Sequence, residues 1–340
     1  MERDTVSMHF VGAAMARLDR AARERVMRSA GIPKALLAAP HSRVTAQSFS
    51  ALWLAVSREL DDEFFGLDSR RMKVGSFALL SHAVLGSAHL DRALKQMLRG
   101  FDVLLDDVHG ELHLEGGDGV VTIANRIEEP AARRFADETF LVMVHGLACW
   151  LAGRRIPLAS AAFAYPRPDH AGEYTTMYSQ HLTFDAPGTA IRFDASLLGL
   201  PVVQGPQTLK TFLRKAPQSV FLKYKNEASV TARLRRRLRR CLGQDEWPVL
   251  EAIAGEFNVS PTTLRRRLEA ESTTYQAVKD DVRRDAAVHY LCSTGLSVPD
   301  IAALVGFQEP SAFRRAFKTW SGIQPGEYRM LQSQAVGGGT

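Results

Sequence analysis

Residues 301–329 have the sequence IAALVGFQEPSAFRRAFKTWSGIQPGEYR, and their spacing predicts two short helices joined by a sharp turn. The apolar residues of IAALV recur at helical spacing and form one stripe. Gly306 follows where the chain must turn, because glycine adopts left-handed backbone angles without steric cost. The next helix is predicted from about Glu309, with Phe313 and Phe317 on one buried face.

The spacing of the two phenylalanines leaves a polar and basic side of this second helix open. Ser311, Arg314 and Arg315 lie on that side, together with the small Ala312. A tight turn followed by a helix with one buried face and exposed arginines is typical of a helix-turn-helix unit. The second helix of such a unit enters the major groove of DNA.

A similar unit is predicted earlier in the chain, in VLEAIAGEFNVSPTTLRRRLEAES, residues 249–272. Ser260 is a strong N-cap residue and Pro261 suits the first helical position. Leu264 and Leu268 form the buried pair, which turns the arginines of the RRR run outward. Residues 275–291 between the two units are predicted to form one amphipathic helix, and a rigid helix would fix the separation of the units.

Residues 227–330 resemble the DNA-binding domain of the AraC family of bacterial transcription regulators. The family pattern G-F-x-x-x-S-x-F-x-R-x-F-K-x-x-x-G-x-x-P-x-x-Y-R is met at every fixed position from Gly306 to Arg329. The chain departs from the family at Ser272, where a glycine is usual, so we expect a looser turn or a helix one residue longer. The predicted DNA-contacting residues are Ser260, Thr262, Thr263, Arg265, Arg266, Pro310, Ser311, Ala312, Arg314 and Arg315.

A length of 340 residues exceeds that of a typical single domain, so two domains are expected. A content of 46% hydrophobic and 24% charged residues is ordinary for a globular protein. No apolar run approaches a membrane span, and the amino terminus lacks the apolar core of a signal peptide. We therefore expect a cytoplasmic, nucleoid-associated protein with no membrane partner. The three cysteines have no paired spacing, so neither a disulfide framework nor a zinc site is expected.

The formal net charge of +6 suits a nucleic-acid partner without proving one. Residues 227–340 hold 16 Lys and Arg against 13 Asp and Glu, so half of the excess lies outside the predicted DNA-binding domain. The basic residues occur in patches, at 231–240, 265–267, 283–284 and 314–315. For Arg235 to Arg240 a solvated helix face is favoured over base contacts, although these arginines could meet phosphates.

The first two-thirds of the chain predict a mixture of helices and strands. The segment ELHLEGGDGVVTIANR, residues 111–126, alternates on both sides of a Gly-Gly-Asp-Gly turn and predicts a hairpin. Helices are predicted at 4–30, 45–60, 75–105 (two, broken at Gly86 and Ser87), 132–151 and 169–180. Short strands are predicted at 159–165, 181–184 and 190–193, and residues 201–226 as a linker with a connecting helix.

This part resembles the arabinose-binding-type effector domain of one AraC subgroup, which contains ornithine-utilisation regulators. The resemblance rests on GSFALLSHAVLGSAHLDRALKQMLRGFDVLL, residues 75–105, and YTTMYSQHLTFDAPGTAIRFDASLLGLP, residues 174–201. It implies an effector-sensing and dimerising module. The expected fold class is an α+β amino-terminal effector domain followed by an all-α DNA-binding domain with two helix-turn-helix units. The expected divisions are 1–205 effector domain, 206–230 linker and connecting helix, 231–332 DNA-binding domain and 333–340 flexible tail.

No sequence motif indicates catalysis, so no catalytic residue, metal or cofactor is expected. A pocket for a small carboxylate is a hypothesis that rests on Phe77, His82, Arg99, Phe101 and Trp150, which offer aromatic walls, a cation and a titratable group. Arg99 is the preferred anion partner, because a guanidinium can bind a carboxylate through two parallel bonds. For each residue taken alone, a core or surface role is the more common alternative.

These observations predict a transcription regulator, more an activator than a repressor, controlled by a small-molecule effector that bears a carboxylate. The expected partners are double-stranded promoter DNA, RNA polymerase, the effector and a second copy of the chain as a homodimer. Two other classes stay open. One is a DNA-repair methyltransferase with a sacrificial cysteine, for which Cys149 would be the candidate. The other is an architectural protein that binds DNA without sequence preference.

Overall fold

The computed structural model of the chain describes residues 5–38, 42–221, 230–244, 246–271 and 273–337. Contacts between residues divide the chain into two compact units. We call the first the helical unit; it comprises Met1–Gly12, Glu24–Leu52 and Glu227–Thr340. The second, the sheet unit, comprises Ala13–Arg23 and Trp53–Asn226.

Helices and strands are mixed up to residue 221, and the elements described after residue 229 are helices. The first part contains β1 (Thr5–Ser7), α1 (Met8–Ala14), α2 (Arg20–Ser29), a 3-10 helix (Lys34–Ala38), β2 (Arg43–Thr45), α3 (Ala46–Leu60), α4 (Ser76–Val84), α5 (Leu90–Leu104), β3 (Val108–Glu115), β4 (Asp118–Asn125), α6 (Pro130–Leu151), β5 (Ser160–Ala162), α7 (Ala171–Met177), β6 (Leu182–Thr183), β7 (Thr189–Asp194), a second 3-10 helix (Ala195–Gly199), α8 (Pro206–Arg214) and α9 (Gln218–Phe221). The last part contains α10 (Val230–Arg239), α11 (Leu250–Glu256), α12 (Pro261–Ala270), α13 (Tyr275–Ser293), α14 (Val298–Leu304), α15 (Pro310–Ser321) and α16 (Pro325–Gly337). The predicted fold class, α+β followed by all-α, is confirmed.

The sheet unit is built on a five-stranded sheet in the order β3-β4-β7-β5-β6, in which only β5 and β6 run parallel. The predicted hairpin is β3-β4, and its turn residues Gly116 and Gly117 both have positive φ, as a two-residue hairpin turn requires. Helix α6 is the core helix of this unit, with most of its 22 residues buried. Glu129 caps its start by accepting from the backbone N–H groups of Ala131 and Ala132.

The helical unit has one core around its first helix-turn-helix unit and another around its second. The first core joins α10, α11, α12 and α13 through Leu234, Leu238, Cys241, Trp247, Ile253, Ala254, Leu264, Leu268, Val278 and Val282. The second is built on aromatic rings, since Phe317 lies 5.8 Å from Phe313 and 5.6 Å from Tyr328 between ring centroids. The bounds of α12, α13 and α15 agree with the spacing of apolar residues in the sequence.

The predicted single helical stretch at residues 4–30 is wrong in its first part. Thr5–Ser7 form β1, which pairs antiparallel with β2, and two separate helices follow. Asp19 starts the second of these helices by accepting from the backbone N–H of Ala22 (2.8 Å). The strand escaped prediction because its partner lies 38 residues further along the chain, and a three-residue strand leaves no periodic pattern of its own.

The two compact units differ from the domain division expected from the sequence, which placed residues 1–205 together. Segments 1–12 and 24–52 group with the helical unit, because β1 and β2 pack against its helices. Tyr328 of α16 donates to the carbonyl oxygen of Arg43 (2.8 Å), and Thr5 Oγ1 donates to Asp285 of α13 (2.5 Å). Such contacts join residues about 280 positions apart, which no local pattern reveals.

Three sequence expectations concern segments that connect or end the helices: the linker, the turn at Ser272 and the carboxy-terminal tail. In the expected linker 206–230, α8 and α9 are helical, and residues 222–229 lie outside the described residues. Ser272, where a looser turn was expected, also lies outside them. The expected flexible tail 333–340 is helical up to Gly337, as α16 continues to that residue; residues 338–340 are not among those described.

Candidate nucleic-acid interface

Helix α12 presents the predicted basic side of the first helix-turn-helix unit. Ser260 Oγ accepts from the backbone N–H of Thr263 (3.1 Å), and Pro261 occupies the first turn, so the helix begins where the sequence predicts. Leu264 and Leu268 are 0% and 1% exposed. These two leucines fix one face of the helix in the core. Of the predicted DNA-contacting residues, Thr263 is half-buried, and the exposed ones are Ser260, Thr262, Arg265 and Arg266.

Helix α15 is the corresponding helix of the second unit. It begins at Pro310, after Glu309, and ends at Gly322, whose φ of 81° only glycine adopts easily. Phe313 and Phe317 are completely buried. The candidates on its open side are Ser311, Arg314 and Arg315, which are exposed, and Pro310 and Ala312, which are half-buried.

The exposed arginines of α12 and α15 keep their charge unpaired within the protein. In the part of the chain that the structure describes, Arg265, Arg266, Arg314 and Arg315 form no ion pair. Guanidinium groups without internal partners can donate to guanine O6 and N7 or to phosphate oxygens. Among the described residues, the geometry thus leaves the two candidate arginines of each helix-turn-helix unit available, and Arg267 of α12 is exposed as well.

The basic run at residues 231–240 differs from α12 and α15, because two of its arginines form ion pairs inside the helical unit. Arg235 pairs with Asp281 (2.9 Å) and Asp285 (3.4 Å) of α13. Arg237 binds the Glu256 carboxylate through two parallel bonds of 2.7 and 2.8 Å, which ties α10 to α11. These ion pairs give Arg235 and Arg237 a bracing role that the sequence did not reveal, and the absence of base contacts from Arg235 to Arg240 stays a prediction.

The five candidate effector residues of the sheet unit have different surroundings. Trp150 stacks on Phe212 at 4.5 Å between ring centroids, and Phe77 lies 6.5 Å from the same ring. Phe101 packs instead on Phe140, at 4.9 Å. The two polar candidates, His82 and Arg99, are exposed on α4 and α5. The structure therefore brings Phe77 and Trp150 together through Phe212, and the predicted set as a whole remains a prediction.

A buried polar cluster on α6 was missed by the sequence analysis. Glu138, 1% exposed, accepts from the hydroxyl of Tyr174 and lies 3.0 Å from His170 Nε2. The hydroxyl of Tyr178 donates to the Glu138 carbonyl oxygen (3.2 Å). Burial, followed by the negative charge of Glu138, raises the pKa of both tyrosines well above the usual range. The two tyrosines and His170 follow Glu138 by 32 to 40 positions, so the only local signal was an acidic pair, Asp137 and Glu138, within a largely buried helix.

Cys149 lacks the properties of a reactive cysteine. Its Sγ accepts from the backbone N–H of Ile156 (3.2 Å) and lies 3.4 Å from His145 Nε2, and all three residues are buried. Burial raises the pKa of the Cys149 thiol to about 11 and lowers the pKa of His145 to about 4. Thiol and imidazole are both neutral near pH 7, whereas a sacrificial cysteine needs a thiolate.

Two capped helices with buried hydrophobic pairs and unpaired arginines, held in one compact unit, define a helix-turn-helix DNA-binding protein. Known families agree with this class. Residues 21–202 match the arabinose-binding domain of AraC transcription regulators, and residues 253–330 match a helix-turn-helix domain. The first match alone covers more than half of the chain. The chain belongs to the AraC family of transcription regulators, and it is a DNA-binding regulator and not an enzyme.

The chain is similar to several known transcription regulators. The ornithine utilization regulator of Pseudomonas aeruginosa is 30% identical over 308 residues, which are 90% of each chain. The transcriptional activator NphR of a Rhodococcus species is 39% identical over 80 residues, 24% of each chain. The crystal structure of the transcriptional regulator CdpR from Pseudomonas aeruginosa aligns over 94% of this chain and 96% of its own, with 19% identity and a TM-score of 0.32. Across the described residues, no helix combines the length and apolar character that crossing a membrane requires.

The buried His145 predicts a pH dependence of stability. In the unfolded chain His145 takes up a proton below about pH 6.5, whereas in the folded protein it does so only near pH 4. The free energy of unfolding is therefore highest above pH 6.5 and decreases as the pH falls towards 4. From this residue we expect a loss of about 2 kcal/mol at about pH 5. His145→Gln should remove that loss in urea unfolding compared at about pH 7.5 and pH 5. Exposed His113→Gln is the control, and an equal pH effect in His145→Gln and the wild type would contradict the assignment.

The two groups of arginines predict opposite effects on DNA recognition. Arg266→Ala should relax preference at one base position, at a cost of about 1–3 kcal/mol of discrimination. Arg237→Ala should leave every base preference intact and at most weaken binding evenly, since its guanidinium is held by Glu256. Preference at each position is measured by selection from random duplex DNA with each variant. Glu256→Gln is the matched control for loss of the brace, and an exchange of the two outcomes would refute the assignment.

Proposed function

We propose that this protein is a sequence-specific activator that binds double-stranded promoter DNA through α12 and α15 and responds to a small-molecule effector. The observation that carries the DNA-binding part is the presence of two exposed, unpaired arginine pairs on helices fixed by buried residues in one compact unit. The DNA-contacting residues proposed are Ser260, Thr262, Thr263, Arg265, Arg266, Pro310, Ser311, Ala312, Arg314 and Arg315. Activation is supported by the name of the relative NphR, a transcriptional activator.

The proposed mechanism is a ligand-dependent shift between DNA-competent and incompetent arrangements of a cytoplasmic, nucleoid-associated homodimer. Bound beside a promoter, the protein contacts RNA polymerase. Family membership supports these partners. The effector is proposed to bear a carboxylate, with Arg99 as its anion partner and Phe77, His82, Phe101 and Trp150 as the other candidate contacts. The relative that regulates ornithine utilization makes an amino acid a specific candidate.

The two helix-turn-helix units should contribute unequally to sequence recognition. The open side of α12 carries Thr262 and the long Arg265 and Arg266. The open side of α15 offers the short Pro310, Ser311 and Ala312, and only Arg314 and Arg315 are long, with Arg315 the better candidate. Selection from random duplex DNA should therefore give two sub-sites about 10 bp apart, because successive major-groove entries lie one helical turn apart. We expect more base information in the sub-site of α12.

Arg315→Ala tests whether α15 touches DNA at all. If it does, the variant should bind the selected duplex clearly more weakly, with a salt slope lower by about one if the contact is to phosphate. Arg126→Ala removes the same charge from an exposed site of the sheet unit and is the control. Unchanged affinity of Arg315→Ala would show that α15 only packs against the first unit. Two sub-sites of equal base information would refute the asymmetry. Equal binding to all duplexes would favour the architectural alternative.

A thermal-shift screen tests the proposed effector class. We expect ornithine, another amino acid, a small carboxylate or a fatty acid to raise the melting temperature, since a ligand at 100 times its Kd stabilises by about 2.7 kcal/mol. Arg99→Ala should abolish the shift, and Arg92→Ala, an exposed arginine on the same helix, should retain it. A shift produced by arabinose and by no carboxylate would contradict the proposal.

A further inference from the structure

Arg283 of α13 contacts two aromatic rings, one just before the first helix-turn-helix unit and one in the turn of the second. Its guanidinium carbon is 4.9 Å from the centroid of Trp247, just before α11, and 4.5 Å from that of Phe307, between α14 and α15. A guanidinium is planar and binds an aromatic ring on each face, which a lysine ammonium does not reproduce. We call Arg283, Trp247, Gly306 and Phe307 the Arg283 stack.

Hydrogen bonds and a close approach reinforce the stack. Arg283 Nη2 donates to the carbonyl oxygen of Gly306 (2.7 Å). A Cβ atom at Gly306 would lie 2.2 Å from Trp247 Nε1, so glycine is needed there for space as well as for its φ of 78°. Close by, the N–H of Gly243 donates to the carbonyl oxygen of Leu304 (2.8 Å). The start of the first unit and the turn of the second are therefore joined by direct contacts as well as through α13.

The arrangement leaves Arg283 unsuited to bind phosphate. Its side chain is half-buried, and burial lowers its pKa, although Asp280 and Tyr275 act in the opposite direction. Two aromatic rings contact the guanidinium inside the protein, and one of its nitrogens already donates to the Gly306 carbonyl oxygen. The neighbouring Arg284 differs, because it pairs with Asp281 (2.7 Å) and takes no part in the stack.

We propose that Arg283 is a positioning residue that fixes the separation and rotation of α12 relative to α15, and so sets the spacing of the two DNA sub-sites that the protein accepts. The proposal rests on the function proposed above. Two rigidly connected sites bind with a high effective concentration only when the DNA spacing matches their geometry. Loosening the stack should thus lower affinity for the matched duplex and make the protein tolerant of other spacings.

The test uses the full-length protein and a duplex selected by the wild type from random DNA, together with versions that have one base pair added or removed between the sub-sites. One base pair rotates the second sub-site by roughly a tenth of a turn. For the wild type we expect each change to cost about tenfold or more in Kd. For Arg283→Ala and Arg283→Lys we expect binding of the matched duplex to weaken about tenfold, the spacing penalty to fall below about threefold, and the salt slope to stay unchanged.

Arg284→Ala is the matched control and should retain the full spacing penalty. Phe307→Leu removes one face of the stack while keeping an apolar side chain, and it should show the same loss of spacing penalty if Arg283→Ala does not fold. A salt slope lower by about one in Arg283→Ala, with binding restored by Arg283→Lys, would assign a phosphate contact and overturn the proposal. A full spacing penalty in folded Arg283→Ala or Phe307→Leu would overturn it as well. If the wild type selects no consensus, the proposed function fails, and this inference fails with it.

Discussion

Burial of two side chains four residues apart holds each proposed DNA-contacting helix in place. Helices of 10 and 12 residues, such as α12 and α15, are marginal in water by themselves. Full burial of each leucine or phenylalanine contributes about 1.5–3 kcal/mol, which is enough to attach the helix to the rest of the unit. The buried pair fixes the rotation of each helix, through Leu264 and Leu268 in α12 and Phe313 and Phe317 in α15. The pair therefore also determines which arginines face outward.

Most of the helical unit could be predicted because its signals are local. Ser260 and Pro261 mark the start of α12, and Phe313 and Phe317 give the buried face of α15, each within a few residues along the chain. The same holds for the β3-β4 hairpin, whose turn is encoded by adjacent glycines. Caps, turns and helical periodicity depend on neighbours in sequence, so one sequence is sufficient to detect them.

The remainder depends on pairs that are distant in sequence. Strand β1 exists because β2 pairs with it, and the role of Arg283 depends on Trp247 and Phe307, which lie 36 residues before it and 24 after it. The effector candidates show the same limit. Phe77 and Trp150 were candidates as aromatic walls of a pocket, but whether they meet depends on Phe212, which the sequence does not connect with them.

Arginine therefore serves two purposes in this protein, and the difference lies in the partners and not in the local sequence. Arg235 and Arg237 occur in a more basic run than Arg265 and Arg266, yet carboxylates of α11 and α13 neutralise them. Formal charge along the chain is consequently a poor guide to the electrostatic surface offered to a nucleic acid. Unpaired arginines on fixed helices are the better guide.

The β1-β2 ribbon has a consequence for how this protein can be divided. Asp285 is 5% exposed and holds Thr5 and Arg43 of the ribbon as well as Arg235 of α10. A fragment that starts near residue 227 would keep Arg235 and Arg284 as partners of Asp285 but would lose Thr5 and Arg43. A largely buried carboxylate would then have fewer partners, which is costly in free energy. The DNA-binding part is thus not an interchangeable cassette. Chimeras with other regulators should carry residues 5–7 and 43–45 along with the carboxy-terminal helices.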